Sequence, residues 1–160
     1  MRFLKEIKEI VKKNRFLHVC LAAILVLFVF KRGFMVILTH GESMEPTYNN
    51  GSVALVNKIF YDYSLPERWD VVVLYDHVSK DFLLKRIVGL PFEVIEIKRG
   101  RIYIDGEEIN DPIDEPIMGH NFDLPPLEIP YGCYFYIGDS RLDSVWGLTY
   151  EEDIVGRVMN

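Results

Sequence analysis

The sequence predicts a mostly β domain preceded by one N-terminal transmembrane helix. Two observations carry that prediction. Residues 16–30, FLHVCLAAILVLFVF, form an apolar run with no polar face of its own. Beyond Gly33 the chain breaks into short stretches rich in Val, Ile, Tyr and Phe, separated by turn-forming clusters. Composition bounds the rest: 160 residues, 49% of them hydrophobic and 13% aromatic, are enough for one domain with its own core.

The N-terminal stretch 1–15 carries Arg2, Lys5, Lys8, Lys12, Lys13 and Arg15, whereas only Lys31 and Arg32 close the apolar run. The excess of positive charge places the N-terminus in the cytoplasm. Leu4, Ile7, Ile10 and Val11 recur at helical spacing, so this stretch either extends the helix or lies at the interface. Two basic residues, and no pair of small residues, follow the run, which favours a retained anchor over a cleaved leader. The expected organisation is a basic cytoplasmic segment over 1–15, an anchor with a short connection over 16–38, and an extracytoplasmic β domain over 39–160. The expected location is the cell membrane, with the lipid bilayer as a partner and a single pass.

Within the β region, FMVILTH, SVALVNKIF, DVVVLYD, DFLLKRIV, EVIEIK, RIYIDG, CYFYIGD and DIVGRVM read as strands. Arg99-Gly100 and Asp105-Gly106 mark the turns of two hairpins in series. The stretch 111–132 holds many prolines and little periodicity, and reads as a long irregular connection.

Several functions are excluded or left unsupported. A net charge of −6 without a basic stripe argues against nucleic-acid binding. Cys20 and Cys133 are too few and too far apart for a disulfide framework, and read as small buried hydrophobes. His18, His40, His77 and His120 lack metal-ligand spacing, so neither a metal nor another cofactor is expected.

Chemistry points to Ser43 and Lys85. Ser43 lies in GESMEPT, shortly after the anchor, and needs a base to become a nucleophile. His40 is close in sequence, but three residues apart on an extended chain point to opposite faces. Lys85 sits in the apolar run DFLLKRIVGLP, where alternation sets Leu83, Lys85 and Ile87 on one face and Phe82 and Leu84 on the other. A lysine buried there loses the charged form and gains use as a base; a lysine at a strand edge turns its amine to water. Periodicity leaves both readings open.

SMEPT, RWDVVVLY, KRIVGLP, GRIYIDGEEI, IPYGCYFYIGDSR and IVGRV occur in this order over nearly the whole chain. In this the chain resembles bacterial type I signal peptidases. The resemblance implies a membrane-anchored serine endopeptidase that removes signal peptides from exported precursor proteins, with a signal-peptidase-like β catalytic domain. It implies Ser43 as nucleophile and Lys85 as general base, which turns the reading of Lys85 towards burial. The Ser43 backbone N–H is the implied oxyanion donor; Gly41 stands where some relatives carry a hydroxyl, so the second donor stays open. Arg86, Asp139 and Asp143 are implied supports of the active-site strands. Ser140 or Ser144 is the implied partner that orients Lys85, with Ser140 preferred. Ile37, Met44, Leu83 and Ile87 are expected to line shallow pockets for small substrate residues.

The chain departs from the family pattern in three places. Trp69 and Phe92 stand where glycine is usual, Glu93 stands where Asp is usual, and GDSRLDSVWG is a contracted form of the last motif with Val145 in place of arginine. The departures predict a narrowed substrate set, such as a dedicated exported protein or pilin subunit. The alternative is a non-catalytic relative that assists assembly of surface proteins or pili.

Overall fold

The computed structural model describes residues 2–143 and 145–159. One long helix, α1 (Arg2–Gly33), precedes eleven strands among the described residues: β1 (Phe34–Leu38), β2 (Val53–Asn57), β3 (Val71–Asp76), β4 (Asp81–Gly89), β5 (Val94–Lys98), β6 (Arg101–Ile104), β7 (Glu107–Glu108), β8 (Leu124–Glu128), β9 (Cys133–Ile137), β10 (Trp146–Tyr150) and β11 (Ile154–Met159). The fold is mostly β with one N-terminal apolar helix, as the segment pattern predicts.

Helix α1 runs unbroken from the basic stretch into the apolar one. Its part Asn14–Gly33 is 20 residues long, enough to cross a hydrocarbon core, and Leu17, Ile24, Leu27 and Phe28 are exposed along it. Lys31 and Arg32 close its last turn, where cations favour the helix dipole. The connection beyond the helix is itself a strand: β1 follows Gly33 directly and pairs with β2 through Phe34↔Asn57 to Leu38↔Val53.

Seven strands form one sheet in the order β1-β2-β11-β3-β4-β9-β10, and four form a second in the order β7-β6-β5-β8. The alternation of each strand fills three buried clusters. Met44, Ala54, Val56, Val71, Val73 and Val158 pack together, with Leu84 and Ile37 against them. Val72, Leu74, Ile87, Tyr134 and Ile154 form another cluster, with Leu83. Val88, Phe135 and Ile137 join the second sheet's Ile95, Ile97, Ile102 and Ile104 in the third. The two expected hairpin turns close where the glycines stand: Arg99 and Gly100 have φ 50° and 75°, Asp105 and Gly106 φ 52° and 86°.

The second expected hairpin returns as β7, paired with β6 through Ile104↔Glu107, whereas strands β8 and β10 arise from residues that lack a strand-like pattern in sequence. β8 is LPPLE, inside the stretch expected to be irregular; it is an edge strand, where proline's missing donor is tolerated. β10 is WGLTY, and its glycine lies over the Tyr136 ring system, where a Cβ would come within 3.2 Å of the hydroxyl.

Trp69 and Phe92 both adopt left-handed backbone, with φ 76° and 71°. Glycine meets that conformation without steric cost, which accounts physically for the usual residue at these two places. Here the conformation is held by neighbours. The Trp69 N–H donates to the Ile87 carbonyl at 2.8 Å and the Phe92 N–H to the Ile129 carbonyl at 2.8 Å. Glu93 supports the same turn by accepting from the Leu90 N–H at 2.7 Å and pairing with Arg68.

Candidate active site

Ser43 lies in the turn that follows β1. Thr39 closes the base of that turn: its N–H donates to the Ser52 carbonyl and its hydroxyl to the Asn49 carbonyl, at 2.8 and 2.6 Å. Inside the turn the Tyr48 N–H donates to the Met44 carbonyl at 2.8 Å, and Met44 is buried under the sheet. An apolar plug on one side of Ser43 and a bonded base below it fix where the hydroxyl stands.

Lys85 comes from β4 and is 3% exposed. Its Nζ lies 2.8 Å from Ser43 Oγ. Burial pulls the Lys85 pKa from 10.5 down to about 8; the Asp139 carboxylate works in the opposite sense and is the smaller influence. Of the two readings that periodicity leaves open, the buried one describes this lysine.

A bridge joins the two elements. Asp139, completely buried, accepts from Arg86 Nε at 2.7 Å and pairs with the rest of that guanidinium, and it accepts from the Thr47 hydroxyl. Arg86 also donates to the Trp69 carbonyl at 2.9 Å. Burial works to lower the Arg86 pKa, but the hydrogen bonds and charge of Asp139, with the Asp111 charge behind it, hold it above its ordinary value. The Ser140 N–H donates to the Ser43 carbonyl at 3.1 Å. One short segment, 138–140, therefore touches the serine turn at two points and the lysine strand at one.

A cleft of about 400 Å³ opens at Ser43 and Lys85. Ile37, Met44, Leu83 and Leu84 form its apolar wall, with Tyr48, His40 and Asp81 around it. Ile87 does not line it. That expectation fails because β9 reaches the far edge of β4 at this point: Ile87 pairs with Tyr136 and is fully buried beneath it. The residues of β4 before Arg86 pair with β3 on one edge only, so Asp81–Lys85 present their other edge to the cleft. Among the described residues β1 likewise pairs with β2 alone.

Two supporting assignments need correction. Ser140 meets Ser43 through its backbone, and among the described residues its hydroxyl makes no bond to Lys85. Ser144 lies outside the described residues. Asp143 is exposed and forms no ion pair among the described residues; the turn points it outward, and no arginine follows to draw it in. Sequence reasoning also missed Tyr48, Leu84 and Arg141. Arg141 is wholly buried and grips Asp111 with two hydrogen bonds, at 2.7 and 3.1 Å. An arginine at the end of an apolar strand run signals burial no more than exposure, so nothing local marked it.

Comparisons with known proteins give the chain's family and fold. The family model described as signal peptidase, peptidase S26, matches residues 9–160. The chain is 32% identical to signal peptidase I of Bacillus caldolyticus, over 89% of this chain and 85% of that protein. It is 34% identical to signal peptidase I of Bacillus amyloliquefaciens, over 86% of this chain and 78% of that protein. A crystal structure of a signal peptidase I from Enterococcus faecalis V583 superposes with a TM-score of 0.51 at 24% identity, over 61% of this chain and 98% of that one, a likeness of fold.

Proposed function

The chain belongs to the signal peptidase family, peptidase S26, and from that premise we propose that it cleaves signal peptides from exported precursors with Ser43 as nucleophile and Lys85 as general base. The observation that carries the assignment is the 2.8 Å separation of Lys85 Nζ and Ser43 Oγ with the lysine buried.

A base must be uncharged to accept a proton. With a pKa of about 8, about one Lys85 amine in ten is neutral at pH 7; at 10.5 the fraction is about one in three thousand. Neutral Nζ takes the Ser43 proton as Oγ bonds to the scissile carbonyl carbon. The resulting ammonium gives that proton to the departing amine as the C–N bond breaks. Water, deprotonated by the same amine, then attacks the ester carbon; the proton returns to Ser43 Oγ as the C–O bond breaks, and the signal segment leaves as a carboxylate. The Ser43 backbone N–H is the proposed oxyanion donor.

The substrate enters as an extended strand. Free edges of β1 and of Asp81–Lys85 flank the cleft and offer backbone groups to such a strand. The wall of Ile37, Met44, Leu83 and Leu84 leaves shallow apolar space, which suits small residues such as Ala at the first and third positions before the cut.

In this reading residues 1–15 are cytoplasmic, the rest of the span Asn14–Gly33 lies in the bilayer from residue 16, and the β domain, with β1 (Phe34–Leu38) as its first strand, is on the outer side, as the charge excess before the helix favours. A tethered enzyme and a tethered precursor then meet in two dimensions, which raises effective concentration. The contracted last motif favours a narrower substrate set, such as a dedicated exported protein or pilin subunit. Equal cleavage of a general precursor and of such a dedicated one removes that refinement.

The test is direct. Detergent-solubilised chain is incubated with a precursor carrying Ala at both positions, beside Ser43→Ala and Lys85→Ala. Both variants are expected to lose cleavage by three orders of magnitude or more, roughly the loss seen when a nucleophile or its base is removed elsewhere. Equal, low processing by all three would instead mark a protein that binds precursors without cutting them.

A further inference from the structure

The largest completely buried side chain is a cation that the mechanism does not use, Arg141. Its place matters. It ends the segment that carries Asp139 and Ser140, the two residues that tie the Ser43 turn to the Lys85 strand. Arg141 holds this segment from behind. It donates to the Gly138 carbonyl at 2.7 Å, so the segment is folded onto its own guanidinium. Nε and the remaining amino group then reach both oxygens of Asp111, at 3.1 and 2.7 Å.

Asp111 belongs to the proline-rich arm and is itself anchored. Its Oδ1 accepts from the Ile113 N–H at 2.9 Å. Further along the arm Ile117 is buried in the core of the second sheet, and the Met118 N–H donates to the Arg141 carbonyl at 2.8 Å. Asp143 is exposed without an ion pair among the described residues, and Val145 stands where an arginine is usual.

We propose that Asp111 is a positioning residue for the reaction, acting through Arg141 to hold segment 138–141 against the Ser43 turn and the Lys85 strand. This rests on the Ser43–Lys85 reading given above. A bidentate carboxylate–guanidinium pair fixes both distance and angle, which a single bond does not. Loosening it lets the segment, and with it the Ser43 turn that covers Lys85, move away from the amine and admit water.

The experiment uses the full chain in detergent with a precursor carrying Ala before the cut, and compares wild type, Asp111→Asn, Asp111→Glu and Arg141→Lys. For each it measures kcat, KM, the folded fraction by tryptophan fluorescence, and the pH midpoint of kcat/KM. Each rate is divided by the folded fraction at the same pH, so that the midpoint does not depend on how much protein is folded. Asp139, which faces Lys85, Arg86 paired to it, and His40 and Asp81 at the cleft keep their identity in every variant; the charge that Asp111→Asn removes also acts on Arg86, and Asp111→Glu and Arg141→Lys retain it. Asp111→Asn is expected to lower kcat about tenfold with KM within about twofold, as a small displacement of reacting groups does. Its midpoint moves to higher pH, and Asp111→Glu recovers most of the rate. If Asp111→Asn does not fold, Arg141→Lys, which keeps the charge but not the fork, is expected to show the same shift. An unmoved midpoint, with rates falling only as the folded fraction falls, overturns the proposal. Ser43→Ala is run alongside: if it cleaves like wild type, the dyad assignment fails instead.

Discussion

Replacing Lys85 with methionine should abolish cleavage and stabilise the protein at neutral pH. Methionine matches the lysine stem in length and needs no solvation. The buried amine, by contrast, is held at a pKa of about 8 rather than 10.5, which corresponds to about 3 kcal/mol favouring the unfolded state whenever the amine is charged in both states. Below pH 8 that cost is present in full. Between 8 and 10.5 the native protein has released the proton while the unfolded chain keeps it, so stability rises with pH; above 10.5 the cost is gone. Methionine also removes the contact with Ser43, worth about 1 kcal/mol. The net gain at pH 7 is about 2 kcal/mol, or roughly 4–8 °C in Tm for a chain of this size. Thermal unfolding of wild type and Lys85→Met in the same detergent, followed at pH 7 and at pH 9.5, reads the difference. Comparing two chains that differ at one site cancels every other titration. An advantage of the methionine variant that is absent at pH 7, or that fails to shrink at pH 9.5, would refute the account of Lys85 as a strained buried base.

Other expectations follow from the same geometry. Wild-type kcat/KM should rise with pH to a plateau with a midpoint near 8, set by Lys85; a midpoint in the usual histidine range that vanishes on changing His40 would point to another base. Arg86→Lys keeps the charge but loses the two-pronged grip on Asp139 and the bond to the Trp69 carbonyl, so kcat should fall about tenfold or more, measured on the same precursor. Phe92→Gly relieves left-handed strain of about 1–2 kcal/mol against a chain-entropy cost of about 0.5–1, so denaturant unfolding should show a small gain and cleavage should be unchanged. Ile37→Ala enlarges the cleft wall, so the preference for Ala over Val before the cut, read as a ratio of kcat/KM, should weaken by roughly tenfold.

How much of this was legible before the fold was known depends on what each residue answers to. Eight strands announced themselves as short runs of Val, Ile, Tyr and Phe between turn signals, a local pattern that holds whether one face is buried or, as in β3, both are. The edge strand β8 did not, since its two prolines forbid central pairing and its neighbours impose extension on it. Lys85 was legible as unusual because a charge inside an apolar run is itself a signal. Ile87 misled for the converse reason: it shares the parity of Leu83, but parity says nothing about where a neighbouring strand begins. β9 covers β4 from Arg86 onward, so the same face is cleft wall at Leu83 and closed core at Ile87.

The supporting residues show the limit most plainly. Asp139 was named because of the motif around it, yet its work depends on Thr47 and Arg86, which lie 92 and 53 positions away in the chain. Asp143 carried an equal claim by sequence and turned outward. The difference lies in the available cations: Arg86 converges on Asp139 from β4, and the contracted motif leaves no arginine to follow Asp143. A buried carboxylate without a partner is destabilising by several kcal/mol, so the chain buries the acid that has one. The same reasoning explains why Arg141, with Asp111 facing it, is buried without penalty large enough to expel it. Ion pairing across long sequence separation, rather than the local motif, selects which polar residues the core around the active site retains.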